Sequence, residues 1–140
     1  MKIAVIDAQG AGLGQAIIKK IRKENLDVYI VALGTNTFAT SNMIRVGANI
    51  GISGEKEICC FCRLNEVDSI IGPIGMICSG GIKGEVTPMI SNTIFNMDCI
   101  KYIIPLQKHG IYIPGTRSLQ IKEIIEEIVL DIKGNIKLLL

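Results

Sequence analysis

The fold is decided by the stretch KIAVIDAQGAGLGQA, residues 2–16. Its first part, Lys2 to Ile6, is an apolar run that ends at Asp7, as expected of a strand that is buried on both faces. A glycine-rich turn, Gln9 to Gly14, comes next, and Gln15 to Leu26 then carries isoleucines at helical spacing. This order of strand, turn and helix predicts the beginning of a parallel α/β sheet.

The rest of the chain continues the alternation of apolar runs and amphipathic segments. Apolar runs predict strands at Val28 to Leu33, Asn49 to Ile52, Asp68 to Ile71, Ile100 to Leu106 and Gly110 to Ile113. Helical spacing predicts helices at Phe38 to Val46, at Glu55 to Asn65 after a Ser53 cap, at Pro88 to Asn96 after a Thr87 cap, and from Ser118 onward. We therefore expect one domain over residues 1–140: a three-layer α/β/α Rossmann-like fold with a mostly parallel sheet of about five or six strands.

Composition and charge exclude several classes of protein. Of the 140 residues, 49% are hydrophobic and 28 are isoleucine, which predicts an aliphatic core. The apolar runs are too short for a membrane helix, and the run before Asp7 is too short for a signal peptide. We therefore expect a cytoplasmic protein with no membrane partner. The net charge of +2 gives no electrostatic reason to expect a nucleic acid partner.

The glycine-rich turn is the strongest indication of a ligand. Gly10, Gly12 and Gly14 alternate where a strand meets a helix, and backbone N–H groups at such a place can hold a phosphate. Gly10 and Gly12 fit the nucleotide-binding pattern G-x-G-x-x-G/A, whereas Gln15 holds its third glycine position. The stretch also looks like the short-chain dehydrogenase loop. The alternative is that the glycines only permit tight packing of the strand on the helix.

Further loops are expected at the same carboxyl edge of the sheet. The predicted cofactor-binding residues are Gln9, Gly10, Gly12, Leu13, Gly14, Thr35, Asn36, Gly72, Pro73 and Ile74. Thr35 and Asn36 follow the second strand, where a dinucleotide site would carry an acid for the ribose, and they could instead cap a helix. Catalysis would require an acid such as Glu85 or Asp7 near the ligand. The Tyr-x-x-x-Lys motif of short-chain dehydrogenases is absent from the sequence.

The remaining polar and sulfur-containing residues have structural interpretations. The five cysteines are expected to be free thiols in the core, because no second pair follows the C-x-x-C at Cys59 and Cys62 at the spacing of a zinc site. His109 is expected in a surface turn. The basic run of Lys19, Lys20, Arg22 and Lys23 has no interleaved aromatic residues, so it predicts a solvated helix face.

The C-terminal tail predicts an assembly. Ile136 to Leu140 is apolar apart from Lys137, so we expect it to pack either as an added strand or against another subunit. We do not expect a domain this small and this rich in isoleucine to cover its apolar surface alone. The sequence therefore predicts a homo-oligomer.

Four segments together resemble a known family. They are VIDAQGAGLG at 5–14, ALGTN at 32–36, IIGPIG at 70–75 and GEVTP at 84–88. In this combination the chain is similar to a family of short bacterial Rossmann-like proteins described only as a domain of unknown function, although Ala8 and Ala11 stand where glycines would be expected. The resemblance brings no assigned activity. It implies that the four loops form one ligand site.

The sequence thus predicts binding of a nucleotide, a dinucleotide or another phosphorylated small molecule through the loop Gly10 to Gly14. NAD(P), an adenine nucleotide and coenzyme A are candidate ligands, and no reaction follows from the residues. Two alternatives stay open. The protein could be a non-catalytic sensor of coenzyme A or an adenine nucleotide, or an oligomeric interaction protein whose loops are structural.

Overall fold

A single parallel sheet flanked by helices is formed by residues 1–108 and 110–139, which are the residues that the computed structural model describes. Its five strands are β1 (Lys2–Asp7), β2 (Tyr29–Gly34), β3 (Ile50–Ser53), β4 (Ser69–Pro73) and β5 (Ile100–Ile104). The helices are α1 (Gly12–Lys23), α2 (Thr37–Arg45), α3 (Glu55–Leu64), α4 (Pro88–Phe95) and α5 (Ile121–Leu139), with a 3₁₀ turn at Ile74–Ile77. The predicted surface turn at His109 lies outside the described residues.

The order of the strands creates a switch point at the centre of the sheet. The order is β3-β2-β1-β4-β5, and all neighbouring strands are parallel. The chain moves outward from β1 through β2 and β3, and then returns to the other side of β1 for β4 and β5. Ligands of such sheets bind at the carboxyl ends of the strands on either side of this reversal. The predicted three-layer α/β fold is confirmed.

Both faces of the central strands β1, β2 and β4 are buried, which explains their apolar runs, whereas the edge strands β3 and β5 are partly exposed. Successive residues of a strand point to opposite faces, so Ile3 and Val5 join one core and Ala4 and Ile6 join the other. Side chains of α1, α2 and α5 pack in the first core, and those of α3 and α4 pack in the second. Because the buried faces exclude most polar residues, the polar side chains that could contact a ligand lie mainly at the ends of the strands.

The strand predicted at 110–113 is wrong, and of the two alternatives for the tail the added strand is excluded. Residues 110–113 form no strand, since Gly110 has a φ of +70° and Pro114 offers no N–H for a ladder. The tail is not an added strand, because Ile136 and the residues after it up to Leu139 continue α5. Leu138 and Leu139 are 85% and 67% exposed, so the chain itself leaves the end of the tail uncovered.

Several predicted boundaries also shift for local reasons. The third helix begins after Gly54, while Ser53 belongs to β3 and donates its hydroxyl to Thr40 Oγ1 at 2.7 Å. Thr87 caps α4 as predicted, since its Oγ1 accepts the N–H of Ile90 at 3.2 Å. β5 ends at Ile104 because Pro105 follows it.

The predicted solvated face of α1 carries Lys19, Lys20 and Lys23. The prediction is wrong for Arg22, because its guanidinium donates to the Gly47 and Val28 carbonyls, both at 2.9 Å. Lys20 pairs with Glu24 at 2.8 Å, and both side chains are partly exposed.

In the part of the chain that the structure describes, no helix has the length and apolar character that a membrane span requires.

Candidate functional site

Asp7 organises the turn between β1 and α1. Its carboxylate is buried, and it accepts the N–H of Ala8 on Oδ1 and the N–H of Gly14 on Oδ2, both at 2.8 Å. Burial raises the pKa of Asp7 above its usual range, and the two N–H groups offset only part of that rise. Because Gly14 lies in the first turn of α1, this bond fixes the helix start at Gly12, earlier than the predicted Gln15.

The turn is strained at its non-glycine residues. Gln9 and Ala11 have φ values of +52° and +56°, in the left-handed region, whereas Gly10 between them does not have a positive φ. A left-handed residue other than glycine costs roughly 1 kcal/mol or more, and such strain is concentrated at functional sites in proteins. The bond from the Ala11 N–H to the Ala8 carbonyl, at 2.8 Å, closes this tight turn.

The three loop glycines have different surroundings. A Cβ on Gly14 would lie 2.7 Å from Met43 Sδ, so this glycine permits the packing of α1 on α2. A Cβ on Gly10 would make an ordinary contact of 3.6 Å with Phe38, whereas a Cβ on Gly12 would meet no atom of the described residues within 4 Å. Of the three, Gly12 therefore has the open space in front of it that a ligand would need.

The beginning of α1 offers free hydrogen-bond donors beside that space. Among residues 1–108 and 110–139, no acceptor takes the backbone N–H of Gly12 or Leu13, while Asp7 takes that of Gly14. The first N–H groups of a helix lack partners within the helix and lie at the positive end of its dipole. Gly12 and Leu13 therefore present donors of the kind that hold an anion.

These donors line a cleft at the switch point between β1 and β4. The cleft has a volume of about 380 Å³. Its walls are residues 7–13 from the β1–α1 turn, 73–75 from the end of β4, 82–83 from the segment before α4, and 106 and 108 from the segment after β5. The loops that follow three different strands thus converge on one space, as the topology requires.

The walls of the cleft combine apolar and cationic side chains. Leu13, Ile74, Ile82 and Leu106 supply apolar surface. Lys83 and Lys108 are the cations of the wall, and the charge of Lys108 acts on Asp7 to lower its pKa. Apolar walls with a few placed polar groups are typical of pockets for small molecules.

A glycine-rich segment, residues 78–87, forms one side of the cleft. The N–H of Gly80 bonds to the Val86 carbonyl at 2.8 Å, and the N–H of Val86 bonds to the Gly81 carbonyl at 3.0 Å. Gly81 packs directly on Gly75, where a Cβ would overlap the Gly75 backbone. Ile82 and Lys83 at the turn of this segment both have a φ of +51°. The segment therefore holds these two residues against the cleft in a strained backbone conformation.

Glu85 ties this segment to the loops after β1 and β2. Its Oε1 accepts the Thr35 hydroxyl at 2.7 Å, the Asn36 Nδ2 at 2.8 Å and the Gln9 backbone N–H at 3.1 Å. Burial acts to raise the pKa of Glu85, and the hydrogen bonds from Thr35, Gln9 and Asn36 outweigh it and hold the pKa below its usual range. Glu85 is therefore ionised at neutral pH, with its charge bound by the protein.

The predicted cofactor-binding residues fall into three groups. Residues that line the cleft are Gln9, Gly10, Gly12, Leu13, Pro73 and Ile74. Thr35 and Asn36 instead bind Glu85, and Asn36 also caps α2 by accepting the Ala39 N–H on Oδ1 at 2.8 Å. Gly14 and Gly72 are buried, and a Cβ on Gly72 would lie 2.8 Å from the Ile6 carbonyl oxygen. Gly72 and Pro73 end β4, although both were expected in the loop.

Sequence reasoning missed the cleft residues Ile82, Lys83, Leu106 and Lys108. A signal for them was present, because all four lie in segments that follow β4 and β5 and therefore begin at the carboxyl edge. The glycines at 80, 81 and 84 also mark the 78–87 segment as a tight loop.

The cysteines lie mainly in and beside the second core. Cys59 and Cys62 are buried, whereas Cys60 is exposed on α3, contrary to the expectation of core thiols, because it points away from the sheet. Burial raises the pKa of the Cys62 thiol to about 12, which keeps it protonated and unreactive. Among the described residues, no cluster of three His, Cys, Asp or Glu side chains is arranged to hold a metal.

Comparison with solved structures supports the fold. A crystal structure of a dodecameric FMN-dependent UbiX-like decarboxylase from Escherichia coli O157:H7 is similar to this chain with a TM-score of 0.54 and 13% sequence identity. The likeness covers 96% of this chain and 94% of that chain, and at this identity it concerns the fold alone. No curated protein has significant sequence similarity to the chain.

A family profile identifies the relatives of the chain. It matches residues 2–137, which include all five strands, the cleft and the 78–87 segment. The family has no assigned activity. The chain belongs to the family described as Domain of unknown function (DUF3842).

Proposed function

We propose that this protein binds a phosphorylated small molecule of the nucleotide class in the cleft between the β1–α1 turn and the 78–87 segment. The observation that carries the proposal is the open space in front of Gly12, where the N–H groups of Gly12 and Leu13, which have no acceptor among the described residues, face a cleft with two lysines in its wall. In this arrangement the phosphate lies on the beginning of α1, and Lys83 and Lys108 balance its charge.

The rest of the ligand is expected to be apolar or aromatic. Leu13, Ile74, Ile82 and Leu106 offer an apolar surface on which a ring system can lie. The similar decarboxylase is named as FMN-dependent, so flavin mononucleotide is the first probe that we would test. AMP, coenzyme A and NADP are further probes, since the sequence favours them.

A panel of these compounds tests the proposal by thermal unfolding. A compound present at about 100 times its Kd adds about 2.7 kcal/mol to the stability of the native state, so at least one member should raise Tm by several degrees. Inorganic phosphate and riboflavin serve as matched controls, because each lacks one half of FMN. If no phosphorylated compound raises Tm more than these controls do, the proposed function is wrong.

A ligand sensor without catalysis is the second candidate. It is favoured because the two acids near the cleft are already engaged: Asp7 accepts two backbone N–H groups, and Glu85 accepts three donors on one oxygen. Neither carboxylate is placed as a free general base. In both candidates the same cleft binds the ligand, and we propose on the sequence evidence that it does so in the cytoplasm.

We further propose that the protein is a homo-oligomer. Leu130, Leu138 and Leu139 of α5 are all more than half exposed, which is a large apolar area for a single small chain. The similar decarboxylase is described as dodecameric, which is compatible with assembly of this fold.

Sedimentation tests the assembly. At micromolar concentration we expect a species of at least twice the chain mass of 15.2 kDa. Leu138→Glu should shift it toward the monomer, whereas Leu64→Glu, at an exposed leucine on α3, should not. A native chain that sediments at 15.2 kDa would contradict the proposal.

A further inference from the structure

We propose that the cleft selects mononucleotides over dinucleotides, and that Glu85 enforces this selection by closing the passage from the cleft to the carboxyl end of β2. This inference rests on the proposed function and deepens it. It names the ligand class as one phosphate group with one ring system.

The topology defines where a dinucleotide would have to lie. In a sheet of this order a dinucleotide spans the switch point, with its phosphates on the turn after β1 and one nucleoside over the end of β2. An acid that ends the second strand usually binds the ribose of that nucleoside. Here β2 ends at Gly34 and is followed by Thr35 and Asn36, so the required acid does not come from β2.

Glu85 brings a carboxylate to this place from the opposite side of the switch point. The 78–87 segment follows β4, yet its Glu85 bonds to Gln9 after β1 and to Thr35 and Asn36 after β2. Asn36 Nδ2 also donates to the Gln9 carbonyl at 3.1 Å. The three loops are therefore joined across the top of β1, between the cleft and the end of β2.

The polar groups that could recognise a ribose are already engaged in hydrogen bonds where these three loops meet. The Thr35 hydroxyl and the Asn36 Nδ2 both donate to Glu85 Oε1, and the Asn36 side-chain Oδ1 accepts the N–H of Ala39. A second nucleoside would have to break these bonds, two of which are charge-assisted, before it could form its own. Such an exchange gives little net binding energy.

The charges around the cleft and the volume of the cleft also favour one nucleotide over two. The two lysines of the wall lie on the cleft side, whereas the charge at the end of β2 is the carboxylate of Glu85, which repels a second phosphate. The cleft volume of about 380 Å³ lies near the lower end of the range for ligand pockets, about 300–1,000 Å³. The space therefore suits one nucleotide.

FMN and FAD form the matched pair for the test, because FAD is FMN joined to AMP. Calorimetric titration of the native chain should give a Kd for FMN at least about tenfold lower than for FAD, and AMP against NAD should show the same order. Glu85→Ala frees Thr35, Asn36 and the Gln9 N–H, so it should bring the two Kd values within about threefold, mainly through tighter binding of FAD. Glu66→Ala removes an exposed glutamate away from the cleft and should leave the ratio unchanged.

The outcomes separate this inference from the proposed function. If FAD binds as tightly as FMN or more tightly, the proposed selection of mononucleotides is wrong, while the proposed function stands. If Glu85→Ala leaves the ratio of the Kd values for FAD and FMN unchanged, Glu85 does not enforce the selection. Failure of every mononucleotide and dinucleotide to bind overturns both proposals. If Glu85→Ala does not fold, Glu85→Gln, which removes the charge at nearly constant shape and weakens the bonds from Thr35 and Asn36, should narrow the ratio in the same direction.

Discussion

Replacing Gly12 with aspartate is expected to weaken binding of the best panel compound by about 100-fold, which corresponds to about 2.7 kcal/mol. The new side chain would enter the open space in front of Gly12 and place a carboxylate where the phosphate is proposed to lie. It would also accept hydrogen bonds from the free N–H groups at the start of α1. Calorimetric titration of native and variant chains measures the change.

This variant is expected to stay folded. A Cβ at Gly12 meets no atom within 4 Å in the part of the chain that the structure describes, and the backbone there is not in the left-handed region. An acidic residue in the first turn of a helix stabilises it by about 0.3–1 kcal/mol, and α1 has none in its first turn. Loss of binding with an unchanged or raised Tm would therefore identify a local effect.

Two controls separate charge from bulk and from position. Gly12→Asn adds the same volume without the charge and should weaken binding by a smaller factor. Gly134→Asp makes the same chemical change at an exposed, open glycine of α5 and should leave binding unchanged. Normal binding by Gly12→Asp would show that the phosphate does not lie on the β1–α1 turn.

Replacing Gly34 with alanine is expected to destabilise the fold by about 1–3 kcal/mol or more, the usual cost of overpacking. A Cβ on Gly34 would overlap Thr40 Oγ1 and would lie 2.6 Å from the Thr40 backbone N and 2.9 Å from the Asn36 carbonyl oxygen. Two of these atoms belong to the backbone at the start of α2, so they cannot move away as a flexible side chain would. Urea unfolding measures the loss.

The same substitution at Gly134 is the matched control and should have the opposite sign. This glycine lies inside α5 with nothing within 4 Å of a Cβ, and alanine is favoured over glycine in helix interiors by about 0.8–1.0 kcal/mol. A native-like stability of Gly34→Ala would mean that the corner between β2 and α2 is not tightly packed. In that case the position of Thr35 and Asn36 beside Glu85 would need another cause.

Part of the candidate site followed from local sequence. The apolar run that ends at Asp7 and the glycines after it predicted the turn, and the cleft does lie beside Gly10 and Gly12. The strand order, which sequence periodicity does not contain, was needed to place the end of β4 beside that turn. Glycines that look alike in sequence also proved different, because Gly14 serves packing against Met43 while Gly12 faces open space.

The function of Glu85 depended entirely on long-range geometry. In the sequence it stands 49 positions from Asn36 and 76 from Gln9, and nothing local indicates that its carboxylate meets both. The consequence is that a carboxylate from a different loop lies at the end of β2 and engages Thr35 and Asn36 there.

The amino-acid sequence by itself determined the elements and their burial. Isoleucine-rich runs with few polar residues favour strands covered on both faces, and their alternation with amphipathic helices predicts a parallel three-layer fold. Only the tertiary structure decided which loops meet, which glycines are open and which charges are already paired. The physical reason is that burial pattern depends on residues near one another in the chain, whereas a site at the edge of a parallel sheet is built from side chains whose distance is set by the order of the strands.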